Sequence, residues 1–276
     1  MPENDNWMEK NMQETQRTYV SAVIVMVLVS PFVCPAQTPE EKGRTIAEEA
    51  SRRYSGYEDG TARLHMILRN RQGQVSEREL RVRSLEVADG TKSLCIFDSP
   101  PDVKQTILLT HTHKAQADDQ WLYLPALKRV RRIAAQSKSS SFMGSEFSYE
   151  DIATHVMEKF THRWLREETC DGQACNVIEQ RPLDRRESAY VRQVAWIDKG
   201  EYRTLKVDYY DRKDSLLKTL TFKDYRKYLD QFWRPHDMNM VNHQTGKSSQ
   251  LLWFDVVFHT GLTENDFNQA NLIRTR

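Results

Sequence analysis

Beyond residue 60 the chain repeats one signature: short runs in which apolar and polar side chains alternate, each closed by a turn signal. Alternation puts every second side chain on one face of an extended strand, so each run belongs in a sheet with one dry and one wet face. Ala62, Leu64, Met66 and Leu68 share one face, with Arg63, His65 and Arg69 opposite. Leu205, Val207 and Tyr209 oppose Lys206 and Asp208; Met238 and Met240 oppose Asp237 and Asn239; Leu252, Phe254, Val256 and Phe258 form a further inward row. Strands are also predicted near 76–86, 92–97, 104–110, 119–124, 160–168, 174–180, 190–198 and 216–226. Arg71-Gln72-Gly73, Asp89-Gly90, Asp171-Gly172, Lys199-Gly200, the stretch 211–214 and Thr245-Gly246 supply the turns between them. About eleven or twelve strands result, and no strand–helix–strand rhythm intervenes, so the sheet is expected to be antiparallel. The fold class is mainly β (α+β), in one domain, because no Pro/Ser-rich linker divides the chain.

Two segments break the strand rhythm. Thr38-Pro39-Glu40-Glu41 combines an N-cap, a first-turn proline and a capping-box glutamate. The helix it opens should run to about Tyr54 and stop before Gly56, with a narrow apolar stripe of Ile46, Ala47 and Ala50. The second break runs from Gln136 to His155. It carries a loop-like Gln-Ser-Lys-Ser-Ser-Ser, then Phe142-Met143-Gly144-Ser145-Glu146-Phe147, then a helix start at Ser148 with Asp151. A short aromatic insertion of this kind is expected to pack across a sheet face as a lid or plug.

Ahead of the domain, Tyr19–Val33 is a nearly uncharged apolar run preceded by Arg17 and followed by small residues at Cys34 and Ala36. It is shorter than the roughly 20 residues a membrane span needs, and Pro31 and Pro35 interrupt it. A basic residue, an apolar core and a small-x-small site make a secretory signal, with Met12 as an alternative start. The expected organisation is a signal peptide over 1–36 and one domain over 37–276, exported to the periplasm. Lys and Arg number 40 against 39 Asp and Glu, a net charge of +1 that gives no reason to invoke nucleic acid.

Export bears on the cysteines. Cys170 and Cys175 flank Asp171-Gly172-Gln173-Ala174. If those four residues form a hairpin loop the two sulfurs face each other within disulfide reach, and an oxidising compartment permits the bond. Cys95 lies in an apolar strand and is expected to be buried and inert.

Enzymatic motifs are missing. Thr245-Gly246-Lys247-Ser248 ends like a phosphate loop, but that pattern needs a glycine where Val241 stands. No Gly-x-Ser-x-Gly and no His-Glu-x-x-His occurs. His111 and His113 share a strand face without a third metal ligand, so a solvated strand end is the default. No cofactor is expected, and the chain is read as a non-enzyme. Lys128, Arg129, Arg131 and Arg132 form a local basic patch. It suits anionic lipid headgroups, transient contact with a membrane surface or an acidic partner, or it is a solvated hairpin.

A sheet of this many strands must curl, split or close. A curled one has more concave apolar surface than such sparse helical stripes can cover, which predicts a hydrophobic pocket; a fully packed sandwich is the other solution the pattern allows. Met66, Met143, Met238 and Met240 suit a pocket for flexible chains, or fill gaps in a core. Burying ten methylenes would contribute a gross ~8 kcal/mol, enough to hold an acyl chain out of water.

The blocks 118–133 (Asp-Asp-Gln-Trp-Leu-Tyr-Leu-Pro-Ala-Leu-Lys-Arg-Val-Arg-Arg-Ile) and 141–152 (Ser-Phe-Met-Gly-Ser-Glu-Phe-Ser-Tyr-Glu-Asp-Ile) resemble the outer membrane lipoprotein-sorting protein family, a LolA-like branch. Lys206–Asp214, Leu216–Leu220, Trp233–Met240 and Thr245–Lys247 resemble its later blocks. The resemblance implies a half-open antiparallel β-barrel with a helical lid and an apolar cavity. It implies a periplasmic carrier of lipoproteins or other lipids, alongside an RND-type (MMPL-like) inner-membrane exporter. The candidate lining, inferred strand by strand, is Trp121, Tyr123, Phe142, Met143, Phe147, Leu205, Tyr209, Phe222, Met238, Met240 and Phe254. The alternative is an accessory module that docks on such a transporter and carries nothing.

Overall fold

In a computed structural model the described residues are 37–273; the expected signal segment lies outside them. The helix opened by Thr38 is α1 (Pro39–Tyr54), with both halves of its capping box formed. It lies on a sheet edge at very close range. A Cβ on Gly43 would sit 2.5 Å from the Trp164 backbone nitrogen, so only glycine allows this approach.

Thirteen strands follow: β1 (Asp59–Arg69), β2 (Val75–Val87), β3 (Gly90–Ser99), β4 (Ile107–His113), β5 (Asp119–Leu124), β6 (Arg129–Arg132), β7 (Phe160–Cys170), β8 (Gln173–Pro182), β9 (Arg192–Asp198), β10 (Thr204–Tyr210), β11 (Leu216–Tyr228), β12 (Phe232–Asn242) and β13 (Ser248–Phe258). They form one antiparallel sheet in the order β6-β5-β4-β3-β2-β1-β13-β12-β11-β10-β9-β8-β7. Two meanders are thus joined through the β1–β13 pair, and β6 and β7 are left as unpaired edges. The sheet is a half-open barrel, mainly β, as expected. Its thirteenth strand, β6, went unpredicted because Arg129-Val130-Arg131-Arg132 offers only Val130 to a dry face.

The topology explains the insertion. Residues 133–159 connect the two edge strands, so this segment has to cross the open side of the curled sheet. It does so with the tight loop 141–148 and the short helix α2 (Tyr149–Ile152), which Ser148 caps as predicted.

Register decides which side chains face the segment. Leu64 pairs across to Leu80 and Trp253, Met66 to Leu251 and Leu68 to Ser249, and the concave row continues through Met238, Met240, Leu220, Phe222, Val207 and Tyr209. Four expected lining residues are not in it. Trp121 and Tyr123 point to the convex face, where Phe267 and Leu272 of the C-terminal segment cover them. The run Trp121–Leu124 is apolar at both parities, so alternation could not choose between faces. A bulge between Thr204 and Lys206 turns Leu205 toward a separate cluster with Val177 and Trp196. An irregularity opposite Thr61–Arg63, with Asp255 at φ 49°, shifts β13 by one residue; Leu251 and Trp253 face inward and Phe254 is 46% exposed.

Candidate functional site

The concave face is apolar, and it is tightly covered at its centre. Met66 and Met240 have no accessible surface at all, so no water-sized void touches them. The space is filled by the crossing segment. Met143 and Gly144, both at positive φ, reverse the chain, and the Phe142 N–H donates to the Phe147 carbonyl at 2.7 Å. This tight loop drives both phenyl rings into the sheet. Phe142 packs 5.7 Å from Phe97 and 5.6 Å from Tyr149, centroid to centroid. Met143 is half-buried against the same cluster. Of the expected lining, Phe142, Met143, Phe147, Tyr209, Phe222, Met238 and Met240 do come together here. Three of them belong to the plug itself and not to the face it covers.

What holds the plug is polar. Lys218 Nζ reaches in from β11, 2.6 Å from Asp151 Oδ2, and donates to the Glu146 carbonyl at 3.0 Å. These two side chains are only 5% and 2% exposed. Tyr190 Oη donates to Asp151 Oδ1 at 2.8 Å. From β12 and β13, Asn242 Nδ2 donates to Glu146 Oε2 at 2.7 Å, and Ser249 Oγ accepts from the Glu146 N–H at 2.9 Å. Gln120 Nε2 donates to the Tyr149 carbonyl at 2.9 Å, and Arg78 donates to the Met143 carbonyl. Contacts from β2, β5, β11, β12 and β13 therefore converge on one short segment. Each is a side-chain bond that can be remade with water if the segment leaves. Sequence reasoning missed these latches. A signal existed at Lys218, an inward-facing lysine in the alternating row with Leu220 and Phe222.

Glu150 adds a second carboxyl beside the Lys218–Asp151 pair. Its carboxylate accepts from Ser188 Oγ at 2.5 Å and from the Ala189 N–H at 2.9 Å. Burial pushes its pKa up to about 7, with nearby Asp151 reinforcing the rise and Lys218 opposing it. A carboxyl raised in the folded state contributes stability that is complete below its ordinary value of 4.5 and lost as pH rises through about 7. The protein is expected to lose up to about 3 kcal/mol across that window, and Glu150→Gln to flatten the loss. Urea midpoints at intervals from pH 4.5 to 8 measure both; identical profiles for the two proteins would exclude Glu150 as the source.

The remaining candidates resolve individually. Cys170 and Cys175 carry free thiols that hydrogen-bond each other. Asp171-Gly172 alone makes the turn, so Cys170 faces Gln173 while Cys175 faces Glu168; the sulfurs are diagonal neighbours and not an opposed pair. Burial raises both thiols, Cys175 to about 11, and raises Cys95 to about 12. His111 sits 2.9 Å from the Phe267 carbonyl and His113 2.6 Å from Asp89, so each imidazole has its own partner. Lys128, Arg129, Arg131 and Arg132 lie on β6 and the turn before it, beside exposed Leu127; Arg132 pairs with Asp119.

Two clefts open on the surface away from the expected lining. One, of about 1010 Å³, lies between residues 135–139, 186–189 and 211–213. The other, of about 360 Å³, lies between Asp118, Arg132–Ala135, Lys138 and Glu187.

The structure superposes on an outer membrane lipoprotein-sorting protein domain from Vibrio parahaemolyticus with a TM-score of 0.83 and 53% identity, covering 85% of this chain and 100% of that one. A DUF1329 family protein from Desulfovibrio piger matches with a TM-score of 0.80 and 32% identity over 85% of this chain and 99% of that one. A LolA superfamily protein from Nitrosomonas europaea shares the fold, with a TM-score of 0.68 and 19% identity over 83% and 98% of the two chains. A family model described as an uncharacterized protein matches residues 89–274. No curated protein matches the chain. The chain therefore belongs to the family of outer membrane lipoprotein-sorting protein domains and DUF1329 proteins, built on the fold of the LolA superfamily.

Proposed function

We propose that the chain is a periplasmic carrier that binds acyl chains of a lipoprotein or lipid on its concave face and passes them toward the outer membrane. One observation carries this reading. An aromatic plug, held by side-chain bonds and not by strand pairing, covers a continuous apolar face of an unclosed sheet. The energetics allow exchange. Withdrawing Phe142 and Phe147 forfeits about 1.5–3 kcal/mol of burial each, whereas an acyl chain returns ~0.8 kcal/mol for every methylene it buries. A chain of moderate length can therefore take the plug's place. Exchange then leaves the latch groups to water or to a partner, which gives an inner-membrane exporter of the RND (MMPL-like) type a role in opening or loading.

The test is lipid extraction and native mass spectrometry of protein recovered from the periplasm, with uptake of a fluorescent fatty acid in vitro. Acyl cargo, or saturable uptake at one site, supports the carrier. Absence of both favours an accessory module that docks on the exporter and carries nothing, a reading that the tight packing around Met66 and Met240 favours.

Delivery requires an approach to a membrane, and the patch of Lys128, Arg129 and Arg131 beside exposed Leu127 suits it. Each basic residue near an anionic surface contributes about 1 kcal/mol. Reversing all three to glutamate is expected to lower binding to anionic vesicles by roughly two orders of magnitude. Binding to zwitterionic vesicles should not change. Equal co-sedimentation of variant and parent with anionic vesicles would leave the patch a solvated hairpin.

A further inference from the structure

The wider cleft has a charge arrangement that the latches do not use. Its walls come from three segments distant in sequence: 135–139 beyond β6, 186–189 before β9, and the β10–β11 turn at 211–213. Two carboxylates line it, and both are satisfied. Glu187 pairs with Lys138 Nζ at 2.7 Å. Asp211 Oδ1 accepts the N–H groups of Lys213 and Ser215 at 2.9 and 3.0 Å, and Oδ2 accepts from Gln244 at 2.8 Å. Arg186 forks onto Asp184 at 2.8 and 3.1 Å while still lining the cleft. Arg212 and Lys213 remain; among the described residues neither forms an ion pair at contact distance, and Lys213 acts on Asp211 only through space. The cleft thus holds two cations side by side that no carboxylate engages directly, with the Gln136 side-chain amide as a neutral donor; the Ser139 hydroxyl already donates to the Gln136 carbonyl.

We propose that this cleft seats the phosphate-bearing headgroup of an anionic lipid, with Arg212 and Lys213 as its charge partners. Arginine supplies a planar fork for two phosphate oxygens and lysine a mobile point charge for a third. Two features favour a lipid over free phosphate. A volume of about 1010 Å³ far exceeds an inorganic ion and fits the upper end of small-molecule sites, about 300–1,000 Å³. The wall is also continuous with the plug's anchors. Ala189 lines the cleft and donates its N–H to Glu150, and Ser139 lies two residues from the plug loop. A headgroup seated here lies next to the residues that anchor the plug. The inference rests on the carrier reading and names its cargo class.

The test is calorimetric titration of the full chain with dihexanoyl phosphatidic acid below its aggregation limit. Dihexanoyl phosphatidylcholine and inorganic phosphate serve as comparisons, and an uncharged apolar fluorophore reads the concave face in parallel. Arg212→Ala with Lys213→Ala alters two exposed turn residues, and an unchanged urea midpoint will show that the fold is intact. The anionic lipid should bind roughly tenfold or more tightly than the zwitterionic one, and the double variant should lose that advantage while keeping fluorophore binding. Fluorophore binding with no preference for the anionic lipid, or with equal affinity in parent and variant for that lipid, would overturn the headgroup assignment alone. Inorganic phosphate binding as tightly as the lipid would overturn it in favour of a free-ion site. No binding of either lipid or of the fluorophore would bring down the carrier reading itself.

Discussion

Asp151→Ala will destabilise the protein by about 3–5 kcal/mol, because it leaves the Lys218 ammonium buried without its counter-charge. Lys218 is only 5% exposed, and its other contacts are the Glu146 carbonyl and the ring faces of Tyr190 and Tyr209. None of these carries a full negative charge, and the nearby Glu150 carboxyl, its pKa pushed up to about 7 by burial, is only partly ionised at neutral pH. Burial raises both phenols well above their ordinary range, so neither ionises to replace the aspartate. The lysine is expected to regain water by expelling the plug. Fatty-acid uptake should therefore quicken in this variant even as the urea midpoint falls. Asp151→Asn should be milder, since an amide oxygen still accepts from Tyr190. Removing both charges, with Lys218→Met and Asp151→Leu, should recover most of the stability, because a buried ion pair and an apolar pair of similar volume are close in energy. A loss below about 1 kcal/mol in Asp151→Ala would show that Lys218 already reaches solvent, and the latch would carry no energetic weight.

The same pair shows where sequence reading runs out. The strands were legible because alternation is a local property, and it located twelve of the thirteen. The plug was legible for a related reason, since Phe142–Phe147 and the Ser148 cap interrupt the alternating rhythm. Its destination was not. That follows from a sheet order that leaves β6 and β7 as edges, and edge identity is a property of the whole fold. The errors among the lining residues have one cause each. Leu205 and Phe254 lie beside irregularities that invert parity, and a single extra residue moves every following side chain to the other face. Trp121 and Tyr123 sit in a run with no polar member to mark the wet side. Lys218 and Asp151 are distant in sequence and become partners only when the connection crosses the sheet.

Phe142→Ala and Phe147→Ala bear on function most directly, because they change the plug without touching any latch. Both rings are almost wholly buried, and each truncation should cost about 3–5 kcal/mol, partly as lost transfer energy and partly as the void left behind. That void would open within the apolar cluster, beside Phe97 for the Phe142 ring, and an apolar void stays dry when empty. A dry apolar void binds apolar ligands of matching size. The truncated proteins are expected to take up an apolar fluorophore or short fatty acid at one saturable site, and the bound ligand should restore part of the lost stability through mass action. Titration of the fluorophore, followed by urea melts with and without ligand, measures both effects. In a carrier, the unmodified protein should bind the same ligand at the same site with lower affinity, since it must first displace its own phenyl rings. If truncation lowers the urea midpoint but neither protein binds the ligand, the aromatic loop is simply core and the concave face a structural wall. The choice between plug and core therefore reduces to one comparison: whether the rings of Phe142 and Phe147 can be exchanged for a ligand, or only lost.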